Sequence, residues 1–333
     1  MGAVLVTGGA GFIGSHACKA LAAAGQLPVT VDNFSTGHRW AVRYGPLYIG
    51  DIGDPQVVRE AIRRHGIDAA IHFAAKAYVG ESVQNPRKYF RENVGGSIRL
   101  LETLLDCGVR RVIFSSTCAT YGLPQNLPID ETAPQHPVNP YGESKLFVEK
   151  MLRWYGEAYG LQWMALRYFN AAGADPDGDL GEEHDPETHL IPCAIEAALH
   201  RRPYLEVFGM DYETPDGTAI RDFTHVSDLA RAHLLSLAYL RGGGQSGALN
   251  LGTGKGHSVL EVVQAVAATC GRKPPLRSRP RRAGDPAQLV SDPTQAEKAL
   301  GWKAAFTDLR SIVGTAYRWH SGQGAAARSA AAN

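Results

Sequence analysis

Two residues four apart, Tyr141 and Lys145, carry the first chemical suggestion in the chain, in the segment Pro140-Tyr141-Gly142-Glu143-Ser144-Lys145. Leu146, Val148, Met151, Leu152 and Tyr155 follow as apolar positions of a helix, with lysines and glutamates between them. Positions i and i+4 share a helix face, so the phenol and the ammonium become neighbours. A free phenol titrates near 10, and work as a base near neutrality needs about 4 kcal/mol favouring phenolate. A nearby ammonium supplies part of that, and a cationic cofactor ring could supply more. Upstream, Ser115-Ser116-Thr117 offers hydroxyls. The pair alone would also fit an ordinary amphipathic helix, so its meaning depends on the elements that hold it.

Those elements begin at the N-terminus. Ala3-Val4-Leu5-Val6 predicts a buried strand, followed by Gly8, Gly11 and Gly14 in a turn and then a helix to about Ala24. Strand, glycine turn and helix in this order form a dinucleotide fingerprint. The first glycine allows the tight turn, the second lets a pyrophosphate approach the backbone, and the third lets helix pack on strand. The helix start then offers free amides and a positive dipole end to phosphate. Pro28-Val29-Thr30-Val31 leads into Asp32, a carboxylate placed to bind ribose hydroxyls and to select NAD over NADP.

The alternation continues with a strand at Leu47-Tyr48-Ile49 and a helix from Asp54-Pro55 to about His65. A strand through Ala69 to Phe73, a long helix from about Asn85 to Asp106 and strands at Arg111 to Ser116 and Trp163 to Arg167 follow. Strands alternating with helices imply right-handed crossovers and a parallel sheet, with ligands beyond the carboxyl ends of the strands. The expected fold class is α/β: a doubly wound Rossmann domain with a smaller C-terminal α/β lobe. Residues 1–173, with returning segments near 219–251, would bind the cofactor. Residues 174–320 would mainly bind substrate, and 321–333 read as a disordered tail. In the later region, strands are expected at Leu205 to Phe208, Ala219 to Thr224 and Ala248 to Leu251.

Composition narrows the classes. The chain has 333 residues, enough for a large core and an appended lobe. A net charge of +1 with 20% charged residues gives no footprint for nucleic acid or an acidic membrane. Five scattered cysteines, with no C-x-x-C pair, argue for reduced thiols in a cytoplasmic protein and against a metal or disulfide framework. No signal peptide and no membrane-spanning run is read.

The motifs together resemble the UDP-glucose (UDP-galactose) 4-epimerases of the extended short-chain dehydrogenase/reductase superfamily, from about residue 3 to about 320. The carriers are Thr7 to His16, His72 to Ser82, Ser115-Ser116-Thr117, Pro140 to Lys145, Arg167-Tyr168-Phe169-Asn170, Arg221 to Val226 and Arg281 to Asp285. The resemblance implies reversible inversion at C4 of a UDP-hexose through a 4-keto sugar, with tightly bound NAD and a homodimer. It makes Tyr141 the base, Thr117 the hydrogen-bond partner of the sugar oxygen, and Lys145 the group that holds the nicotinamide ribose and lowers the tyrosine pKa. Gly8, Gly11, Phe12, Ile13, Gly14, Asp32, Asn33, Asp51, Ile52, Phe73, Ala74, Ala75, Lys76, Asn93, Ser115 and Tyr168 would line the cofactor with Tyr141 and Lys145. Asn170, His189, Leu190, Phe208, Arg221, Arg282 and Asp285 would hold the UDP-sugar with Thr117 and Tyr141. His189 stands where relatives often have asparagine. Leu289 takes a place that is tyrosine in some relatives and small in others, leaving hexose, pentose and N-acetylhexosamine substrates open. Dehydratases of this scaffold carry an acid beside the threonine, where this chain has Cys118 and Ala119. A non-catalytic NAD sensor would have no use for Tyr141 and Lys145.

Overall fold

The computed structural model describes residues 2–282 and 284–323. The first half alternates β1 (Ala3–Thr7), α1 (Phe12–Ala23), β2 (Leu27–Asp32), β3 (Leu47–Ile49), α2 (Pro55–His65) and β4 (Ile67–His72). Short helices α3 (Val79–Gln84) and α4 (Pro86–Tyr89) lead to α5 (Gly96–Asp106), then β5 (Arg111–Thr117), α6 (Pro140–Tyr159) and β6 (Gln162–Tyr168). The second half holds β7 (Asn170–Ala172), α7 (Leu190–Ala198), β8 (Leu205–Phe208), β9 (Ile220–Arg221), β10 (Phe223–His225), α8 (Val226–Arg241) and β11 (Gly247–Leu251). It ends with β12 (His257–Ser258), α9 (Val259–Cys270), β13 (Leu276–Arg279), β14 (Gln288–Leu289), α10 (Thr294–Leu300) and α11 (Leu309–Arg318).

Seven strands form one parallel sheet in the order β11-β6-β5-β4-β1-β2-β3. The order reverses between β1 and β4, so a crevice opens at their carboxyl ends. Every residue of β1 is buried, as expected of a strand covered on both faces. Alternate side chains serve opposite cores. Ala3 and Leu5 pack with Val58, Leu100, Leu104 and Leu152 on the side of α2, α5 and α6. Val4 and Val6 pack with Leu21, Leu229 and Leu237 on the side of α1 and α8. A third core joins α7, α9 and α11 through Ile195, Val263 and Val313.

Two expectations need correction. The helix expected from Asn85 to Asp106 is not one α-helix: Asn85 caps α4, a π-helical turn spans Phe90–Gly95, and α5 follows. The strand expected from Ala219 to Thr224 divides into β9 and β10, which belong to different sheets. The break is at Asp222, whose buried carboxylate accepts hydrogen bonds from Ser291, Thr253 and Gly254. The Asp222 amide bonds the Leu289 carbonyl while its carbonyl accepts from the Asn170 amide, so the chain passes from one sheet to the other at this residue. Of the expected tail, Ser321–Gln323 lies in a terminal π-turn that begins at Trp319, and 324–333 fall outside the described residues.

Candidate active site

The candidate triplet of Thr117, Tyr141 and Lys145 is assembled by three features of local chemistry. Asn139 accepts a hydrogen bond from the Gly142 amide and Pro140 follows it, so α6 starts sharply just before Tyr141. Gly142 lies against the turn after β5: a Cβ there would stand 2.5 Å from the Ala119 carbonyl oxygen. Only a residue without a side chain lets the start of α6 lie against that turn. Thr117 itself ends β5, and its hydroxyl accepts from the Ala119 amide at 3.1 Å.

Electrostatically, the triplet differs from a simple phenol–ammonium contact. Burial pushes the Tyr141 phenol well above its ordinary value, and the Thr117 hydroxyl pulls it back. Burial pushes Lys145 down to about 7, opposed by the nearby Glu149 carboxylate. Lys145 Nζ donates to the Ser115 carbonyl at 2.8 Å, lies 4.9 Å from the Phe114 ring and is 6.0 Å from the centre of the Tyr141 ring. Glu149 is paired with Arg167 at 2.6 Å and also accepts from Ser116 and Gln135. This buried ion pair is fully hydrogen-bonded, the condition under which its members can be kept charged inside a fold.

A dinucleotide cradle borders the triplet. At Gly14 a Cβ would fall 2.2 Å from the Gly8 carbonyl oxygen, so α1 packs onto the turn only because that position is glycine. Gly11 caps α1 without a side-chain hydrogen bond, which leaves the first-turn amides near Phe12 and Ile13 open for an anion. Asp32 ends β2 with its carboxylate accepting from the Ala10 and Phe34 amides. Asn33 donates to Asp51, and Ile52 is buried behind it. The donor set and the glycine cradle fit NAD.

Asn93 ties the cradle to α6. Its Oδ1 accepts from the Lys76 amide, and its Nδ2 donates to the Lys76 carbonyl and to Ser144 Oγ. Because Asn93 sits in the π-helical turn, an extra residue per turn aims it at this junction, a use such turns often have. Lys76 Nζ reaches Ser35 at 2.6 Å. Ala74 bonds the end of β1 and Ala75 follows it, while Phe73 packs on His233 and Tyr168 hydrogen-bonds Ser115. The resemblance gave no site role to Ser144 or Tyr89. Tyr89 is fully buried, donates to the Tyr78 carbonyl and meets Tyr141 edge to face. No local signal marks Tyr89, whereas Ser144 stands inside the Tyr141–Lys145 motif.

Across the crevice, Arg221 pairs with Asp285 at 2.5 Å, and the Arg282 guanidinium stacks 4.0 Å over Phe208. The Asp285 amide bonds the Arg282 carbonyl, joining the two pairs in one turn. Leu289 is in register with Arg221, and Asn170 bonds the Asp222 carbonyl. Leu190 opens α7 and packs on the third core. His189 is engaged differently from a free phosphate ligand: its Nδ1 lies 2.9 Å from both Glu182 and Glu187. Burial alone would lower its pKa, but the two glutamates hold it up at about 10.

The NAD dependent epimerase/dehydratase family model matches residues 4–252. A UDP-glucose 4-epimerase of Halalkalibacterium halodurans is 49% identical over 318 residues, covering 96% of this chain and 95% of its own. The crystal structure of UDP-glucose 4-epimerase from Brucella ovis in complex with NAD matches with a TM-score of 0.94 and 54% identity, over 96% of this chain and 99% of that one. A Stenotrophomonas maltophila UDP-glucose-4-epimerase with bound NAD and formylated UDP-arabinopyranose matches with a TM-score of 0.94 and 40% identity, over 98% of this chain and all 100% of that one. The chain belongs to the NAD dependent epimerase/dehydratase family, in the branch formed by the UDP-glucose 4-epimerases.

Proposed function

We propose that this protein interconverts UDP-galactose and UDP-glucose by reversible inversion at C4, with NAD retained in the fold. The observation that carries the reading is the placement of Tyr141, Thr117 and Lys145 beside the glycine cradle, with Cys118 and Ala119 where an eliminating enzyme needs an acid. NAD, when bound, supplies a reversible hydride acceptor. Gly8, Gly11 and Gly14 with the α1 amides would hold its pyrophosphate, Asp32 its adenosine ribose, and Lys145 its nicotinamide ribose.

Tyr141 takes the proton from the sugar O4 and returns it, with Thr117 holding that oxygen in line. General-base transfer of this kind contributes about 10²–10⁴-fold. Because burial holds the free phenol high, the base becomes competent only when positive charge joins it in the crevice. Arg221, Arg282 and Phe208 grip the nucleotide, leaving the sugar ring the freedom to present either face. Residues 1–173 with the returning stretch 219–251 would serve the cofactor, and 174–320 mainly the UDP-sugar.

Phe147, Trp154 and Tyr159 are exposed on α6, and Phe90 on the π-turn before α5; we assign these two helical segments to the contact of a homodimer. A single-chain mass by sedimentation at micromolar concentration contradicts that assignment. No helix among the described residues is long and apolar enough to cross a membrane, and five unpaired cysteines favour the reducing cytoplasm.

Proton NMR of the purified protein with UDP-galactose and no added NAD tests the reaction. UDP-glucose anomeric signals should grow in at the expense of UDP-galactose. No conversion with or without added NAD overturns the reading. A UDP-pentose is the second reading, favoured by the Stenotrophomonas structure; faster turnover of UDP-arabinose in the same assay would select it.

A further inference from the structure

We propose that Glu182, His184, Glu187 and His189 form a binding site for a divalent first-row transition-metal ion, Zn²⁺ being the best fit. The spacing is E-x-H-x-x-E-x-H within the irregular segment that precedes α7. One donor atom from each of the four lies within 4.8 Å of the others. The nitrogen–oxygen edges are 3.3 and 3.4 Å from His184 Nδ1, and 2.9 and 2.9 Å from His189 Nδ1. Four donors at zinc-ligand distance from a common centre lie roughly 3.3 Å apart in a tetrahedron. Both imidazoles share Glu182 Oε1, while His184 faces Glu187 Oε2 and His189 faces Glu187 Oε1, so the four side chains converge within reach of one ion.

The donor set is the right chemistry as well. Imidazole and carboxylate together suit Zn²⁺ and its neighbours better than Ca²⁺ or Mg²⁺, which favour oxygen alone. Two carboxylates balance the charge of a dication and leave both imidazoles neutral. That matters because Glu182 and Glu187 are nearly inaccessible, with side chains 4% and 6% exposed. His189, at 43%, opens to solvent and leaves an entry path.

The surroundings hold the donors in place, as the outer shells of metal sites do. Trp319 Nε1 donates to the Glu182 carbonyl, Arg202 donates to the Glu187 carbonyl, and the Thr188 and His189 amides donate to Glu187 Oε1. Tyr78 packs against both imidazoles and bonds the Pro186 carbonyl. A second acidic group, Asp175, Asp177 and Asp179, makes a useful contrast. There the Lys19 ammonium sits 2.6, 2.8 and 3.1 Å from the three carboxylates and cannot give way to an ion, whereas in the His–Glu box a metal would take the place of the imidazole protons.

An ion in the His–Glu box would cross-link the segment 182–189 to itself just before α7. The inference concerns binding and does not depend on the reaction proposed above. The test is equilibrium dialysis of the chelator-stripped full-length protein against micromolar ZnCl₂, with bound metal counted by mass spectrometry. Wild type should retain one zinc per chain, and Co²⁺ in its place should give the intense visible bands of a tetrahedral site. Glu187→Gln should weaken binding at least about tenfold, and a His184→Ala/His189→Ala double variant should retain almost none, with folding checked by circular dichroism. Should the double variant fail to fold, the wild-type stoichiometry, the cobalt spectrum and Glu187→Gln decide. A wild type that retains no zinc overturns the proposal, as does a folded double variant that retains as much as wild type.

Discussion

Lys145 gives its hydrogen bond to the backbone carbonyl of Ser115, at 2.8 Å, and none to the Tyr141 phenol. The lysine is thereby fixed to the end of β5, 6.0 Å from the centre of the Tyr141 ring. Tyr141 and Lys145 can then fail independently. Tyr141→Phe removes the base but leaves the Lys145–Ser115 contact and the glycine cradle. Turnover by NMR should fall by about 10²–10⁴-fold, with cofactor content after gel filtration, read from its absorbance, unchanged. A wild-type rate in that variant would remove Tyr141 from the mechanism.

Lys145 also sets a pH dependence. Burial holds its pKa down at about 7 in the folded chain, against about 10.4 for an unfolded lysine. Between those values the unfolded chain binds the extra proton, so this group makes stability rise with pH across the window. Below about 7 its full penalty is present; above about 10.4 it is gone. Lys145→Met should therefore raise the Tm of stripped protein most at pH 6 to 7, and the gain should shrink toward pH 10. A gain independent of pH would mean that the methionine acts through packing alone.

Gly14→Ala tests the cradle. A Cβ at 2.2 Å from the Gly8 carbonyl oxygen meets backbone that cannot rotate away, so α1 must lift from the turn. Overpacking of this kind costs about 1–3 kcal/mol. The variant should purify with little NAD and melt several degrees lower, and added NAD should restore only part of the loss. Full cofactor occupancy would show that the turn relaxes without harm.

Several of these features could be read before the structure, and their legibility follows a physical rule. Gly8, Gly11, Gly14 and Asp32 are legible because one strand, one turn and one helix create their meaning locally. Tyr141 and Lys145 are legible because helical spacing alone puts them on one face. Ser115 as the lysine's partner is not, since its carbonyl becomes available only through the register of β5 against β6. Asp222 hides for the same reason: its partners Thr253 and Ser291 lie 31 and 69 residues away. The π-turn around Asn93 leaves no periodicity to detect. Glu182 and His184 sit in a polar loop whose composition looks like solvent-facing chain, and only folding brings them to His189.

Arg282 provides the last test, on the nucleotide side. Its guanidinium stacks on Phe208 at 4.0 Å, while Arg221 is braced by Asp285. Lysine keeps the charge but loses the planar face that stacks on the ring and the fork that fits a phosphate. Losing an exposed cation–π contact costs about 0.5–1 kcal/mol, so Arg282→Lys should raise KM for the UDP-sugar about two- to fivefold. If Arg282 acts on the nucleotide alone, kcat should stay near wild type. Arg282→Ala should raise KM further and weaken inhibition by free UDP in parallel. If kcat falls instead while KM holds, Arg282 contributes to the reacting geometry, and the division between a gripped nucleotide and a loosely held sugar must be redrawn.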